Sequence, residues 1–100
     1  MAIILQQVMP DGVPVQMLDE VTDEMGADQN PPDGMLFHTH FERDGQVRIV
    51  DVWESQEAYE TFRDSRLLPA MHTVAQRHGI DGPPQPETSV TAVHRVVRGR

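Results

Sequence analysis

Two histidines separated by one residue, His38 and His40, sit in a run of alternating polar and apolar residues, and a carboxylate, Asp51, follows in a second such run. On a β-strand, residues i and i+2 point the same way, roughly 6.5–7 Å apart. A His-x-His pair so placed can supply two imidazole ligands to one metal ion, with Asp51 as a third; a two-histidine, one-carboxylate set suits iron and other divalent metals. The same residues support metal-free chemistry. A carboxylate beside an imidazole fixes its tautomer and makes it a better base. His38 is then the candidate general base and Asp51 its orienting partner. Such a base can take a proton from an acidic group of a bound small molecule. The residue-level reading leaves both possibilities open, beside a purely structural polar pair.

The elements that must position these groups are a hairpin. The stretch GMLFHTHFERDGQVRIVDVWESQE (34–57) carries two alternating runs around Asp44-Gly45, a dipeptide suited to a two-residue I′ turn. A turn that tight sets Arg43 opposite Gln46, His40 opposite Ile49, His38 opposite Asp51 and Leu36 opposite Trp53. One face then carries Leu36, His38, His40, Ile49, Asp51 and Trp53, a mixture of apolar wall and polar groups expected of a pocket. The other carries Phe37, Thr39, Phe41, Arg48, Val50 and Val52 and reads as core. Leu36, His40, Ile49 and Trp53 are the expected pocket wall, with Trp53 placed to stack on a flat aromatic ligand. His94, in the last predicted strand (88–97), is a further candidate for the same pocket.

The rest of the chain frames the hairpin. Residues 2–9 read as a first strand. Val13, Met17, Val21 and Met25 recur every fourth position, a helix stripe that Gly26 ends. Ser55 is an N-cap for a second helix carrying Ala58, Tyr59 and Phe62 inward. Pro69 predicts a break or bend near Leu67-Leu68, with a further helical segment from about Pro69 to His78. The order β-α-β-β-α-β predicts a single α+β domain over 1–100, ferredoxin-like, with both helices on one face of a four-stranded antiparallel sheet. The face with Leu36, Ile49 and Trp53 is then expected to lack cover within the chain, and a patch that apolar implies a homodimer.

Composition excludes several classes. The 100 residues carry a net charge of −8 and no cysteine. Acidity argues against nucleic acid and against anionic membrane surfaces; the one basic cluster is Arg95, Arg98 and Arg100. Without cysteine there is no disulfide, thiolate metal site or cysteine nucleophile. No segment approaches the ~20 apolar residues of a membrane helix, and the first residues do not read as a signal peptide. A cytoplasmic protein is expected. No glycine-rich phosphate loop, G-x-S-x-G elbow or H-E-x-x-H is present.

Certain segments resemble the dimeric α/β-barrel superfamily, and more closely its antibiotic-biosynthesis-monooxygenase-like small proteins. They are Gly34-Met35-Leu36-Phe37-His38, VRIVDVWESQE (47–57) with Ala58, and Leu67-Leu68-Pro69-Ala70. The resemblance implies two sheets packed face to face, with a small-molecule cavity between sheet and helices. It implies no single reaction, because such proteins include cofactor-free oxygenases of aromatic polyketides or quinols, haem-degrading and dehalogenation-type enzymes and ligand sensors. A haem-binding branch would want an axial histidine, for which His72 or His78 would serve. The leading expectation is a homodimer without cofactor that binds a small aromatic or quinone-like molecule and monooxygenates it. A non-catalytic ligand-binding dimer, or a metal or haem protein using His38 and His40, stands as the alternative.

Overall fold

The computed structural model describes residues 1–99; Arg100, the last of the C-terminal arginines, lies outside them. The elements are β1 (Ile3–Val8), α1 (Val15–Met25), β2 (Met35–Arg43), β3 (Gln46–Trp53), α2 (Gln56–Phe62), a π-helical turn (Arg63–Leu67), α3 (Leu68–Arg77) and β4 (Glu87–Ala92). The strands lie in the order β2-β3-β1-β4, and each neighbouring pair is antiparallel. This is the ferredoxin-like α+β arrangement expected from the element order. The last strand stops at Ala92, short of the predicted Val97.

Local chemistry explains the boundaries. Gly26 closes α1 in the left-handed region, φ 64°, which glycine adopts without strain. The Ser55 hydroxyl accepts the Ala58 N–H at 3.0 Å and starts α2. The interruption expected near Leu67-Leu68 takes the form of a π-helical turn over Arg63–Leu67, not a break in the helix. Pro69 has no N–H to give to the Ser65 carbonyl, and its ring would crowd that group. The chain widens one turn earlier, where the Leu68 N–H reaches back five residues to the Arg63 carbonyl. The backbone stays helical through the insertion, and Pro69 falls in the first turn of α3, where its missing donor is harmless.

The hairpin register is as predicted from Arg43↔Gln46 to His38↔Asp51, but not at its far end. Met35, not Leu36, faces Trp53, and the register shifts between Met35 and Phe37, leaving Leu36 as the extra residue of a bulge. Gly34 anchors that end. Its carbonyl accepts the Glu54 N–H at 2.8 Å, its φ is +82°, and a Cβ there would lie 2.7 Å from the Ala58 Cβ. The close approach of strand to helix at Gly34 fixes where β2 begins, and the bulge absorbs the odd residue.

The faces are reversed relative to the sequence expectation. The helices cover the face bearing Val47, Ile49, Asp51 and Trp53, all buried. Ile3, Leu5, Trp53, Tyr59 and Phe62 form one core cluster; Met9, Val47 and Ile49 form a second; Val21, Ala70 and Val74 pack α1 against α3. The face without cover carries Ile4, Val8, Phe37, Phe41, Val50 and Val52, with Phe37 and Phe41 exposed. The strand alternation could not decide the matter, since both faces of the hairpin are rich in apolar side chains. β1 decides it: Leu5, wholly buried, pairs with Asp51 and brings the Asp51 face under the helices.

Candidate functional site

Two arrangements of functional side chains lie on the helix side of the sheet. The first is a hydrogen-bonded line. Asp51 is buried, and its carboxylate accepts the Trp53 indole N–H on Oδ2 at 3.1 Å and the His38 Nδ1–H on Oδ1 at 2.6 Å. His38 Nε2 lies 3.0 Å from His40 Nδ1, and His40 Nε2–H donates to Asp19 Oδ1 on α1 at 2.8 Å. The line runs from the buried indole to an exposed carboxylate, and it ties α1 to the edge strand β2. Asp19 is an exposed residue of α1 that no sequence motif marks. Its pairing with His40 depends on how α1 crosses the sheet, which spacing does not reveal.

The second arrangement is a cavity of about 300 Å³ between the sheet, α1, α3 and the Pro83–Pro86 loop. That volume is at the lower end of small-ligand pockets, roughly 300–1,000 Å³. Met9, Met17, Leu18, Val21, Ile49, Leu67, Met71 and Val74 give it an apolar interior. Gln56, Tyr59, Glu60 and Arg63 reach it from one stripe of α2 and the π-helical turn, and Gln7 and Thr88 reach it from the sheet, bonded to each other at 3.1 Å. The turn forced by Pro69 therefore matters to the site: it places Arg63 and Leu67 on the cavity wall. A more open groove of about 480 Å³ lies between the 30–34 loop and α2, with a more polar lining.

Of the residues expected to form a pocket, Ile49 lines the cavity. His38, His40, Asp51 and Trp53 gather in the hydrogen-bonded line beside it and do not line it. Leu36 is in the bulge, and His94 is exposed beyond the end of β4. Gln7, Arg63 and the proline loop contribute to the cavity without any sequence motif that marks them. Tyr59, expected to point inward, is buried against Trp53, ring centroids 5.6 Å apart. Among the described residues no three or more His, Asp or Glu side chains converge on a metal-sized centre. Nor is any helix long and apolar enough to cross a membrane.

Burial pushes the Tyr59 phenol above its ordinary pKa of 10.0; the Arg63 guanidinium, 5.9 Å over the ring, opposes the shift and Asp51 adds to it. The phenol is thus held as a hydrogen-bond donor throughout the neutral range. Tyr59 is the sole tyrosine, so its titration is directly readable. Tyrosinate absorbance should rise with a midpoint above 10.0, and urea should return it to that value. Because the folded value is the higher, the stability contributed by this group is intact below pH 10 and is lost as pH rises through the folded midpoint. A native midpoint at or below 10.0 would contradict the burial of the hydroxyl.

The same fold occurs in cofactor-independent oxygenases. No family model matches the sequence, and no curated protein matches it. Solved structures do. A monooxygenase from the gene ActVA-Orf6 of Streptomyces coelicolor, solved in complex with nanaomycin D, is 19% identical with a TM-score of 0.63, covering 99% of this chain and 93% of its own. SnoaB, a cofactor-independent oxygenase from Streptomyces nogalater, is 15% identical with a TM-score of 0.61, covering 98% and 97%. Rv0793 from Mycobacterium tuberculosis is 18% identical with a TM-score of 0.61, covering 97% and 98%. The architecture is theirs. At these identities the likeness carries the fold end to end and leaves the chemistry to the residues.

Proposed function

We propose that the cavity binds a flat aromatic or quinone-like metabolite, and that the protein monooxygenates it without a cofactor. One observation carries the reading: a mainly apolar space of small-ligand size with Gln7, Tyr59, Glu60 and Arg63 among its polar groups. The methionines and Val74 suit a polycyclic body, and methionine adapts to irregular shapes. Tyr59 O–H and the Arg63 guanidinium donate to a carbonyl or phenolate oxygen of the ligand, which anchors one end of it. The ionised ligand is the form that passes an electron to O₂; the Arg63 charge is shared with Asp64, 2.9 Å away. For an anthrone the reaction balances as one methylene and one O₂ giving one carbonyl and one water. His38, oriented by Asp51, was the base expected from sequence. Because it does not line the cavity, the residues present also support a second reading, a module that binds the same ligand without turnover.

Homodimer assembly belongs to the same proposal. The uncovered sheet face is apolar, and the buried Arg48 Nε on it has no hydrogen-bond partner among the described residues. A second copy laid on this face covers the phenylalanines and can offer Arg48 an acceptor.

The test uses 1,8-dihydroxyanthrone, followed by ligand-dependent quenching of Trp53 and by O₂ uptake. Wild type should bind it and consume O₂. Tyr59→Phe should weaken binding about tenfold, the loss of one hydrogen bond of ~1.4 kcal/mol to a charged partner, while leaving the melting temperature within a few degrees. Binding without O₂ uptake selects the non-catalytic reading. Failure of this and related tricyclic phenols to bind removes the aromatic-ligand proposal.

A further inference from the structure

The line Asp51–His38–His40–Asp19 contains one place where the hydrogen-bond inventory does not close. An ionised carboxylate only accepts. Asp51 therefore takes the proton of His38 Nδ1, and Asp19 takes the proton of His40 Nε2. The remaining ring nitrogens, His38 Nε2 and His40 Nδ1, lie 3.0 Å apart. In two neutral imidazoles, each with its single proton already placed, both are bare lone pairs. Two acceptors at that distance repel unless a cation serves them both. One extra proton can do so, and so can a metal ion.

We propose that His38 Nε2 and His40 Nδ1 form a two-imidazole chelate for a late divalent transition-metal ion, Ni²⁺ or Cu²⁺ by preference. Imidazole–metal bonds of about 2.1 Å meeting at a right angle put their nitrogens ~3.0 Å apart, whereas a tetrahedral ion asks for ~3.4 Å. The observed 3.0 Å, which is also the length of a hydrogen bond through a shared proton, matches adjacent positions on an octahedral or tetragonal ion. Behind each ligand stands a carboxylate on the opposite ring nitrogen, the arrangement that fixes tautomer and ring orientation in histidine metal sites. The charges of Asp51 and Asp19 together balance a divalent ion. The His38 and His40 side chains are 29% and 15% exposed, so water reaches the remaining coordination positions. With two protein ligands the ion is exchangeable rather than structural. The site is separate from the cavity, and the inference stands whether or not the cavity performs oxygenation.

The experiment is calorimetric titration of tag-free full-length protein with Ni²⁺, paired with Cu²⁺ quenching of Trp53, whose indole is bonded to the same Asp51. One ion per chain is expected. His40→Ala should weaken binding at least tenfold. Asp19→Ala, at an exposed position that tolerates change, should weaken it about tenfold through the loss of ring orientation. A combined His72→Ala, His78→Ala, His94→Ala variant should bind as wild type does, and circular dichroism checks that each variant is folded. Absence of Ni²⁺ binding in the wild type, equal binding by folded His40→Ala, or loss of binding in the combined variant instead overturns the proposal.

Discussion

Asp51→Ala should lower the stability of the fold by about 3–5 kcal/mol, the sum of the donors it leaves unpaired and the void it opens. Asp51 is the buried hub of the hairpin, accepting from Trp53 and His38 on separate oxygens. Alanine leaves the indole N–H and the His38 N–H without partners, each costing roughly 1–3 kcal/mol where water does not reach it. It also opens a void against Leu5 and Trp53, which are fully buried. A domain of this size has about 5–15 kcal/mol in all, so the melting temperature should fall by roughly 15–30 °C. Asp51→Asn should fall between alanine and wild type, since its amide oxygen accepts one donor while its NH₂ confronts the other. Urea unfolding followed by Trp53 fluorescence measures both. A loss below about 1 kcal/mol for Asp51→Ala would show that the line of hydrogen bonds does not organise the hairpin.

Val52→Asp should abolish the proposed dimer and leave a folded monomer. Val52 lies on the uncovered face between Ile4 of β1 and Phe37 of β2. In an isolated chain the new carboxylate stays in water and costs little beyond strand propensity, within about 1 kcal/mol. In a face-to-face dimer it is buried without a partner, which costs several kcal/mol. A cost of ~4 kcal/mol raises the dissociation constant about a thousandfold. Light scattering on the eluting protein reads the mass of wild type and variant. A wild type that is monomeric at micromolar concentration, or a Val52→Asp dimer indistinguishable from wild type, removes the proposed assembly. Because Val52 is on the face opposite the cavity, the variant also asks whether ligand binding needs the second copy.

The hairpin shows how far the sequence reached. Asp44-Gly45 determined the turn, the turn determined the register, and the register placed His38 opposite Asp51. That inference needs only the two-residue loop and the period of a strand. The helix stripe of α1, the Ser55 cap and the order of elements were equally legible, because each depends on residues within a turn or two of one another. The bulge at Leu36 was not. It arises from Gly34 meeting Ala58 on α2, a contact between elements with no trace in the local pattern.

The sequence by itself therefore determined the strand–helix order, the ferredoxin-like sheet and the pairing of His38 with Asp51, all consequences of short-range propensity and periodicity. Tertiary structure decided three things. It chose which face the helices cover, because both faces of the hairpin are apolar and only the pairing of Leu5 with Asp51 breaks the tie. It brought Asp19 to His40 by the crossing of α1. It set the cavity among Gln7, Tyr59, Arg63 and the proline loop, apart from the histidines. Each of these depends on distant segments meeting in space, and an enclosed volume is a property of their packing that no single stretch of sequence contains.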